Sequence, residues 1–126
     1  MEITSVKQAI KEQITQIDNF INNLPDLKVN LDWNQKHNKE IVDREWTKYL
    51  NIEDDLTRTI LASEYLQSQI KEAISVLGNN LEIEINQKNM LRKSLDILEN
   101  RTKPLEQLRM GIQNKIYYYQ RLSRDI

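Results

Sequence analysis

The chain contains no cysteine, and its 126 residues include only two glycines, two prolines and one histidine. The lack of cysteine excludes disulfide bonds, thiolate metal sites and a cysteine nucleophile. A glycine-rich phosphate loop is excluded too, because Gly78 and Gly111 lie far apart. No apolar run has the length of a membrane span, and residues 1–10 lack the apolar core of a signal peptide. We therefore expect a cytoplasmic or otherwise intracellular protein without membrane association.

Recognisable catalytic and metal-binding motifs are also missing from the sequence. The one histidine, His37, shares a helix face with Glu40, but two ligands make a poor metal site. Most carboxylates lie one helical turn from a lysine or arginine, as in Glu40 and Arg44, which is typical of solvated ion pairs. The Glu-x-x-His pairs of a di-iron bundle and the Ser/His/Asp set of a hydrolase are absent. We expect no enzyme activity, no metal or other cofactor and no small-molecule substrate.

What the sequence does contain is a recurring pattern of apolar residues at intervals of three and four, typical of amphipathic helices. It predicts an all-α fold, an elongated antiparallel hairpin or bundle of three to four long amphipathic helices with coiled-coil character. The whole chain, 1–126, is expected to form a single helical domain. The predicted helices cover residues 4–24, 32–77, 81–101 and 103–124.

Turn and cap residues set these boundaries. Ser5 begins a capping-box pattern at the start of the first helix, and Pro25 ends that helix because it has no N–H to donate. Gly78–Asn80 forms the turn of the hairpin, because Gly and Asn tolerate the left-handed conformation that closes a helix. Thr102 before Pro104 predicts a break or kink. Two such arms make a hairpin roughly 65–70 Å long, at 1.5 Å per residue.

Three segments leave alternatives open. The alternating apolar residues of 26–31 predict an extended crossing, or else one more helical turn. Residues 32–77 form either one helix or two helices joined near Asn51. Residues 81–85 also alternate, as a short strand would, although the apolar spacing that follows favours a helix.

Charge is unevenly spread although the net charge is only −1. Residues 40–64 carry seven acids against three bases, and the tail from Asn86 carries nine bases against four acids. One interpretation is that the two stretches face each other in one molecule, as antiparallel helices often do. The other is that the basic tail binds an acidic partner such as tubulin or nucleic acid. Three consecutive tyrosines at 117–119 point in different directions on a helix and form no stacking platform, so nucleic-acid binding is not expected.

The candidate interaction surface combines aromatic, acidic and arginine side chains. Trp33 and Trp46 are predicted to be packing anchors in an otherwise polar stretch, and the tyrosine-rich end suits the rim of an interface. The candidate residues are Trp33, Trp46, Asp54, Asp55, Arg109, Tyr117, Tyr118, Arg121 and Arg124.

Three short motifs in the last third of the chain follow one another in a set order. They are Thr102-Lys103-Pro104-Leu105, then Ile112-Gln113-Asn114-Lys115, then Arg121-Leu122-Ser123-Arg124-Asp125. This stretch resembles tektins, the helical filament proteins of ciliary doublet microtubules, which show a Pro-Leu step, an apolar-acidic-Asn-basic step and a loop ending Glu-Leu-Cys-Arg-Asp. The Arg-Pro pair that opens that loop is Tyr117-Tyr118 here, and Arg121 and Ser123 replace its Glu and Cys. The resemblance implies a rod that packs on a tubulin wall in a cilium or centriole.

These observations lead to three hypotheses. The first is a non-enzymatic structural or assembly protein, a coiled-coil rod that joins a larger complex through protein partners or self-association of its apolar helical faces, with the tektin-like form as its sharpest version. The second is a small bacterial or viral helical-bundle adaptor or inhibitor that binds a protein through residues 40–55 or the tyrosine-rich end. The third is a nucleic-acid binder that uses the basic tail.

Overall fold

The computed structural model describes residues 3–27 and 30–126 of the chain. The described residues form four α-helices: α1 (Ile3–Asn22), α2 (Trp33–Lys36), α3 (Lys39–Val76) and α4 (Glu82–Asp125). They contain no strand, so the all-α prediction is confirmed and the strand alternative at residues 81–85 is wrong. With 38 and 44 residues, α3 and α4 are about 57 and 66 Å long at 1.5 Å per residue.

The core of the hairpin is two rows of side chains spaced seven residues apart. On α3 the buried row is Val42, Tyr49, Leu56, Ser63 and Ile70, and on α4 it is Leu91, Leu98, Leu105, Ile112 and Tyr119. A strict seven-residue repeat keeps one seam facing the partner helix only if the helices supercoil slightly. The coiled-coil character expected from the sequence is therefore a property of both arms.

Contacts between the arms show how α3 and α4 are aligned. The rings of Tyr49 and Tyr119 stack with centroids 5.5 Å apart. Nearer the turn, the Gln67 side-chain amide donates to the Thr102 hydroxyl at 3.4 Å. Because the residue number falls on α4 as it rises on α3, the two helices are antiparallel.

Helix α1 lies against both arms over the middle of the hairpin. The Gln13 side-chain amide donates to the buried Ser63 hydroxyl at 2.8 Å, and Asp18 pairs with Arg101 of α4 at 3.1 Å. The polar Ser63 in an otherwise apolar row is thus satisfied by α1, which also buries its own Ile17 there. The middle of the molecule is a three-helix core.

The predicted start of the first helix needs correction. Helix α1 already begins at Ile3, so Ser5 lies inside it and caps nothing. Its end agrees with the prediction, because the last helical residue is Asn22 and Pro25 follows in non-helical backbone. The predicted crossing at 26–31 falls partly on residues 28 and 29, outside the described residues.

The predicted helix over residues 32–77 is two helices, and the junction is not near Asn51. Asp32 caps the single turn of α2 in a reciprocal capping box with Gln35. The chain then leaves helical geometry, and Asn38 caps α3 by accepting from the Ile41 N–H at 3.2 Å. Each helix therefore has its own N-cap residue, and the junction between α2 and α3 lies at Asn38.

The predicted break at Thr102–Pro104 is wrong, because α4 continues through Pro104 to Asp125, whereas the kink that was the alternative stays a prediction. Thr102 is buried, and its hydroxyl donates back to the Leu98 carbonyl at 2.7 Å instead of capping a new helix. Leu98 and Leu105 are buried on either side. Packing of these neighbours holds Pro104 in a helix that its missing N–H disfavours.

The turn of the hairpin lies where the sequence predicts, but the reason is different. No described residue, glycine included, has a positive φ, so Gly78 is not used for the left-handed conformation. Leu77 ends α3 in extended backbone, and the Gly78 N–H donates to the Glu84 carboxylate. A Cβ at Gly78 would collide with that carboxylate, so the glycine allows a close approach.

Candidate interaction surface

The two tryptophans differ in their surroundings. Trp33 is 75% exposed and its ring lies against the His37 ring, with centroids 4.1 Å apart, so its prediction as a packing anchor is wrong. Trp46 is half-buried and packs against the core, as predicted. Its indole N–H is the one buried side-chain polar group without a hydrogen-bond partner among the described residues.

The two aspartates of the predicted acidic patch are exposed on α3, but only one of them is ion-paired. Asp54 pairs with Arg58 of the same helix at 2.7 Å, and both side chains are exposed. Asp55 has no ion pair among the residues described, and it follows Asp54 by about 100° around the helix. The two carboxylates therefore form no concentrated acidic site.

The acidic and basic stretches do lie on facing arms of the hairpin, as one interpretation of the sequence required. Arg109 on α4 pairs with Glu53 on α3 at 3.4 Å. In the described part of the chain this is the one ion pair between the two stretches, and the other pairs of the acidic stretch lie within α3. Arg109 therefore contributes to the packing of the two arms, whereas most basic residues of the tail have no ion pair in the described structure.

Three of the predicted residues share one outward face of α4. Tyr117, Arg121 and Arg124 are exposed, and their three- and four-residue spacing places them side by side, with Met110 two turns before Tyr117. We call these four residues the α4 outer face. Tyr118 does not belong to it, because Tyr118 is half-buried with its ring edge against Tyr119 at 5.2 Å.

The buried tyrosine pair, Tyr49 and Tyr119, lies on the side of α4 opposite that face. Burial raises the pKa of Tyr119 to about 12, and the nearby Tyr49 and Glu45 add to the increase. Burial likewise raises the pKa of Tyr49, against the opposing effect of the Lys48 ammonium, which lies 5.2 Å from the ring centroid. Both phenols therefore stay neutral near pH 7, and their rings stack in the core.

The single histidine has a local partner. His37 is exposed, and its Nδ1 lies 2.8 Å from the Trp33 carbonyl oxygen at the end of α2. Across the described ranges, no three His, Cys, Asp or Glu residues are grouped as a metal site would require. None of the helices described combines the length and apolar character needed to cross a bilayer.

The most exposed apolar cluster lies at the turn end of the hairpin, and it was not among the predicted site residues. Val76 is 78% exposed and Ile83 63% exposed, although both lie within five residues of the turn. We call this cluster the tip patch; its members are Val76, Leu81, Ile83, Ile85 and Met90. One sequence signal was available: alternate apolar residues at 81–85 cannot all point to one side of a helix, so some must face outward.

The tip patch is exposed because α4 extends past its neighbours. The Lys71 ammonium of α3 lies 3.8 Å from the Glu99 carboxylate of α4. Past the end of α3, the Lys88 ammonium donates to the Asn79 side-chain oxygen at 2.7 Å. The helical residues before Lys88 therefore lie beyond the end of α3. Helix α1 packs against the middle of the hairpin through the Gln13–Ser63 and Asp18–Arg101 contacts. The first turn of α4 is thus left without a helical neighbour.

Comparison with protein-family models, curated proteins and solved structures finds no match to this chain.

Proposed function

We propose that this protein is a non-enzymatic assembly protein, a helical hairpin that joins a larger complex through apolar surface that its own fold leaves uncovered. The observation that carries the proposal is the tip patch. Its five large apolar side chains lie within residues 76–90, and three of them, Leu81, Ile83 and Ile85, lie beyond the end of α3. Exposed apolar clusters of this kind mark interaction sites in soluble proteins.

Cross-linking of the protein in the cells that express it tests the proposal. Lys93 is exposed close to the tip patch, so a lysine-reactive cross-linker is expected to join it to another polypeptide, which mass spectrometry identifies. Ile83→Glu places a charge in the patch and is expected to abolish these products. The matched control is Leu61→Glu, which changes a similarly exposed side chain on α3 far from the turn. Cross-links from Lys93 to its own molecule alone would refute the proposal.

A second surface supports a sharper form of this function. The α4 outer face carries two arginines with no ion pair in the structure described, together with an exposed tyrosine and methionine. Arginine and tyrosine are the residue types that contribute most at protein interfaces. Such a face suits an acidic partner, and with the resemblance to tektins it favours assembly along ciliary microtubules as the specific role. The segment 121–125 is helical here, whereas the resemblance implies a loop.

Co-sedimentation with polymerised tubulin tests this sharper form. We expect the protein to pellet with microtubules, and Arg121→Glu with Arg124→Glu to reduce the bound fraction at least tenfold. Lys7→Glu with Lys11→Glu reverses the same number of charges at exposed positions on α1, and it is the control for net charge. Equal pelleting of the two double variants would leave the α4 outer face without this role.

The alternative function, a small adaptor or inhibitor, is favoured by one observation. Helices α1, α3 and α4 contribute to one core and α2 contacts α3, so the buried core is formed within a single copy. An adaptor predicts a cooperative melt whose midpoint is independent of protein concentration. A midpoint that rises with concentration favours the assembly protein instead, because association stabilises the folded state.

A further inference from the structure

The tip patch has a charge pattern that is complementary to an inverted copy of itself. Of the charged residues near the start of α4, Glu84 and Lys88 turn inward and bind the turn, Glu84 at the Gly78 N–H and Lys88 at the Asn79 side chain. Glu82 lies at the first position of α4, and Arg92 and Lys93 follow some three turns later. All three are exposed, and within the described structure none has an ion pair.

The apolar residues of the projecting helix lie between these charges. Ile83 and Met90 are seven residues apart, on the same side of α4 and away from its buried row, and Ile97 continues the line. Ile85 is exposed on a different side, which has no neighbour because α3 has ended. An occupant must therefore lie along about three turns of helix, with a basic group at one end and an acidic group at the other.

We propose that the occupant is a second copy of this chain, paired tip to tip about a twofold axis. This inference rests on the proposed function and names its partner. An antiparallel copy of residues 82–93 brings Glu82 of each chain beside Lys93 of the other, because Glu82 and Lys93 lie on the side of α4 that carries Ile83 and Met90. The symmetry forms this contact twice. Ile83 and Met90 of the two copies are buried between the charged ends. Such an interface is isologous and closes as a dimer.

Each single-sided charge reversal is expected to abolish this dimer. Glu82→Lys places like charges at both ends of the interface, and so does Lys93→Glu. Each variant is expected to sediment as a monomer at concentrations where the unaltered chain is a dimer, with a dissociation constant raised at least tenfold. An equimolar mixture of the two variants restores both contacts, and it is expected to form a heterodimer.

Sedimentation velocity over a wide concentration range, with circular dichroism to check the fold, provides the measurement. Ile83→Glu is expected to be monomeric, whereas Leu61→Glu keeps the dimer because Leu61 is exposed on α3 far from the turn. The proposal is overturned if the unaltered chain is monomeric throughout, if Ile83→Glu leaves the dimer intact, or if the mixed charge variants stay monomeric.

The two proposals fail in different ways. If the purified chain is a monomer while Lys93 still cross-links in cells to a different protein, the tip patch has another partner and the assembly function stands. If the purified chain dimerises through Ile83 but no further protein joins it in cells, the dimer stands and the larger complex is refuted.

Discussion

At the scale of single residues, polar side chains in the core are placed where another helix satisfies them. Ser63 interrupts the apolar row of α3, and Gln13 of α1 provides its partner; Thr102 bonds its own helix and also accepts from Gln67. A buried polar pair contributes little net energy when it is made, but costs roughly 1–3 kcal/mol when one partner is lost. Such pairs therefore favour one alignment of α1 on the hairpin over its neighbours.

The raised pKa of Tyr119 predicts a loss of stability in alkaline solution. Well below pH 10 the phenol is protonated in both states. Between pH 10 and about 12 the unfolded chain loses this proton while the folded chain keeps it, so the free energy of unfolding falls as the pH rises. The total effect is on the order of 2 kcal/mol. Denaturant unfolding from pH 8 to 12 measures it.

Tyr119→Phe is the matched control for this pH dependence, because it keeps the ring that stacks on Tyr49 and removes the titrating group. The variant is expected to lose less stability than the unaltered chain over the same window, with a remainder from Tyr49, whose pKa is also raised. Identical slopes for both proteins would show that Tyr119 is not the source.

At the scale of elements, the long helix α4 is maintained by packing against a local sequence preference. Proline inside a helix costs about 3 kcal/mol relative to alanine, and Pro104 is exposed, so its side chain contributes little burial in return. Pro104→Ala is therefore expected to stabilise the protein by roughly 1–3 kcal/mol and to raise the melting temperature by several degrees.

Thermal melts of Pro104→Ala and of Lys103→Ala test this expectation together. Lys103 is the exposed neighbour, and its substitution should change stability by less than about 0.5 kcal/mol. If Pro104→Ala melted no higher than the unaltered chain, Pro104 would not destabilise α4 as expected.

The element boundaries show what the sequence predicts well. The turn at Gly78–Asn80 and the end of α1 before Pro25 are predictable, because their signals are local. The junction at Asn38 was also local in origin, but a cap residue inside a polar stretch resembles any other exposed asparagine. The continuity of α4 through Pro104 depends on burial of Leu98 and Leu105 against a distant part of the chain, which no local pattern reports.

The same distinction applies to the candidate surface. The α4 outer face follows from helical spacing, because Tyr117, Arg121 and Arg124 are three and four residues apart on one helix. All three were candidates from the sequence, but only together with six other candidate residues. The tip patch depends on how far α4 extends past α3 and α1, and that offset is set by the alignment of the helices. Spacing within one helix contains no information about it.

At the scale of the whole molecule, the number of helices around α4 changes along its length. The middle is packed by α1 and α3, and the first turn projects alone. The amide N–H groups of residues 86–89 bond to the carbonyls of that first turn. Their hydrogen exchange in dilute protein should therefore be much faster than that of residues 98–112, although all of them belong to one helix. Nuclear magnetic resonance resolves the two groups, and uniform protection along α4 would contradict this account.

The two buried rows have a consequence for how the length of this hairpin can change. Inserting one residue into either arm rotates everything beyond it by about 100° and turns buried side chains outward. Removing seven residues from one arm keeps the faces but shifts the layers, so that Tyr49 no longer meets Tyr119. Only removal or addition of seven residues in both arms together preserves every pairing. Longer and shorter versions of this architecture are therefore expected to differ by whole heptads, matched across the turn.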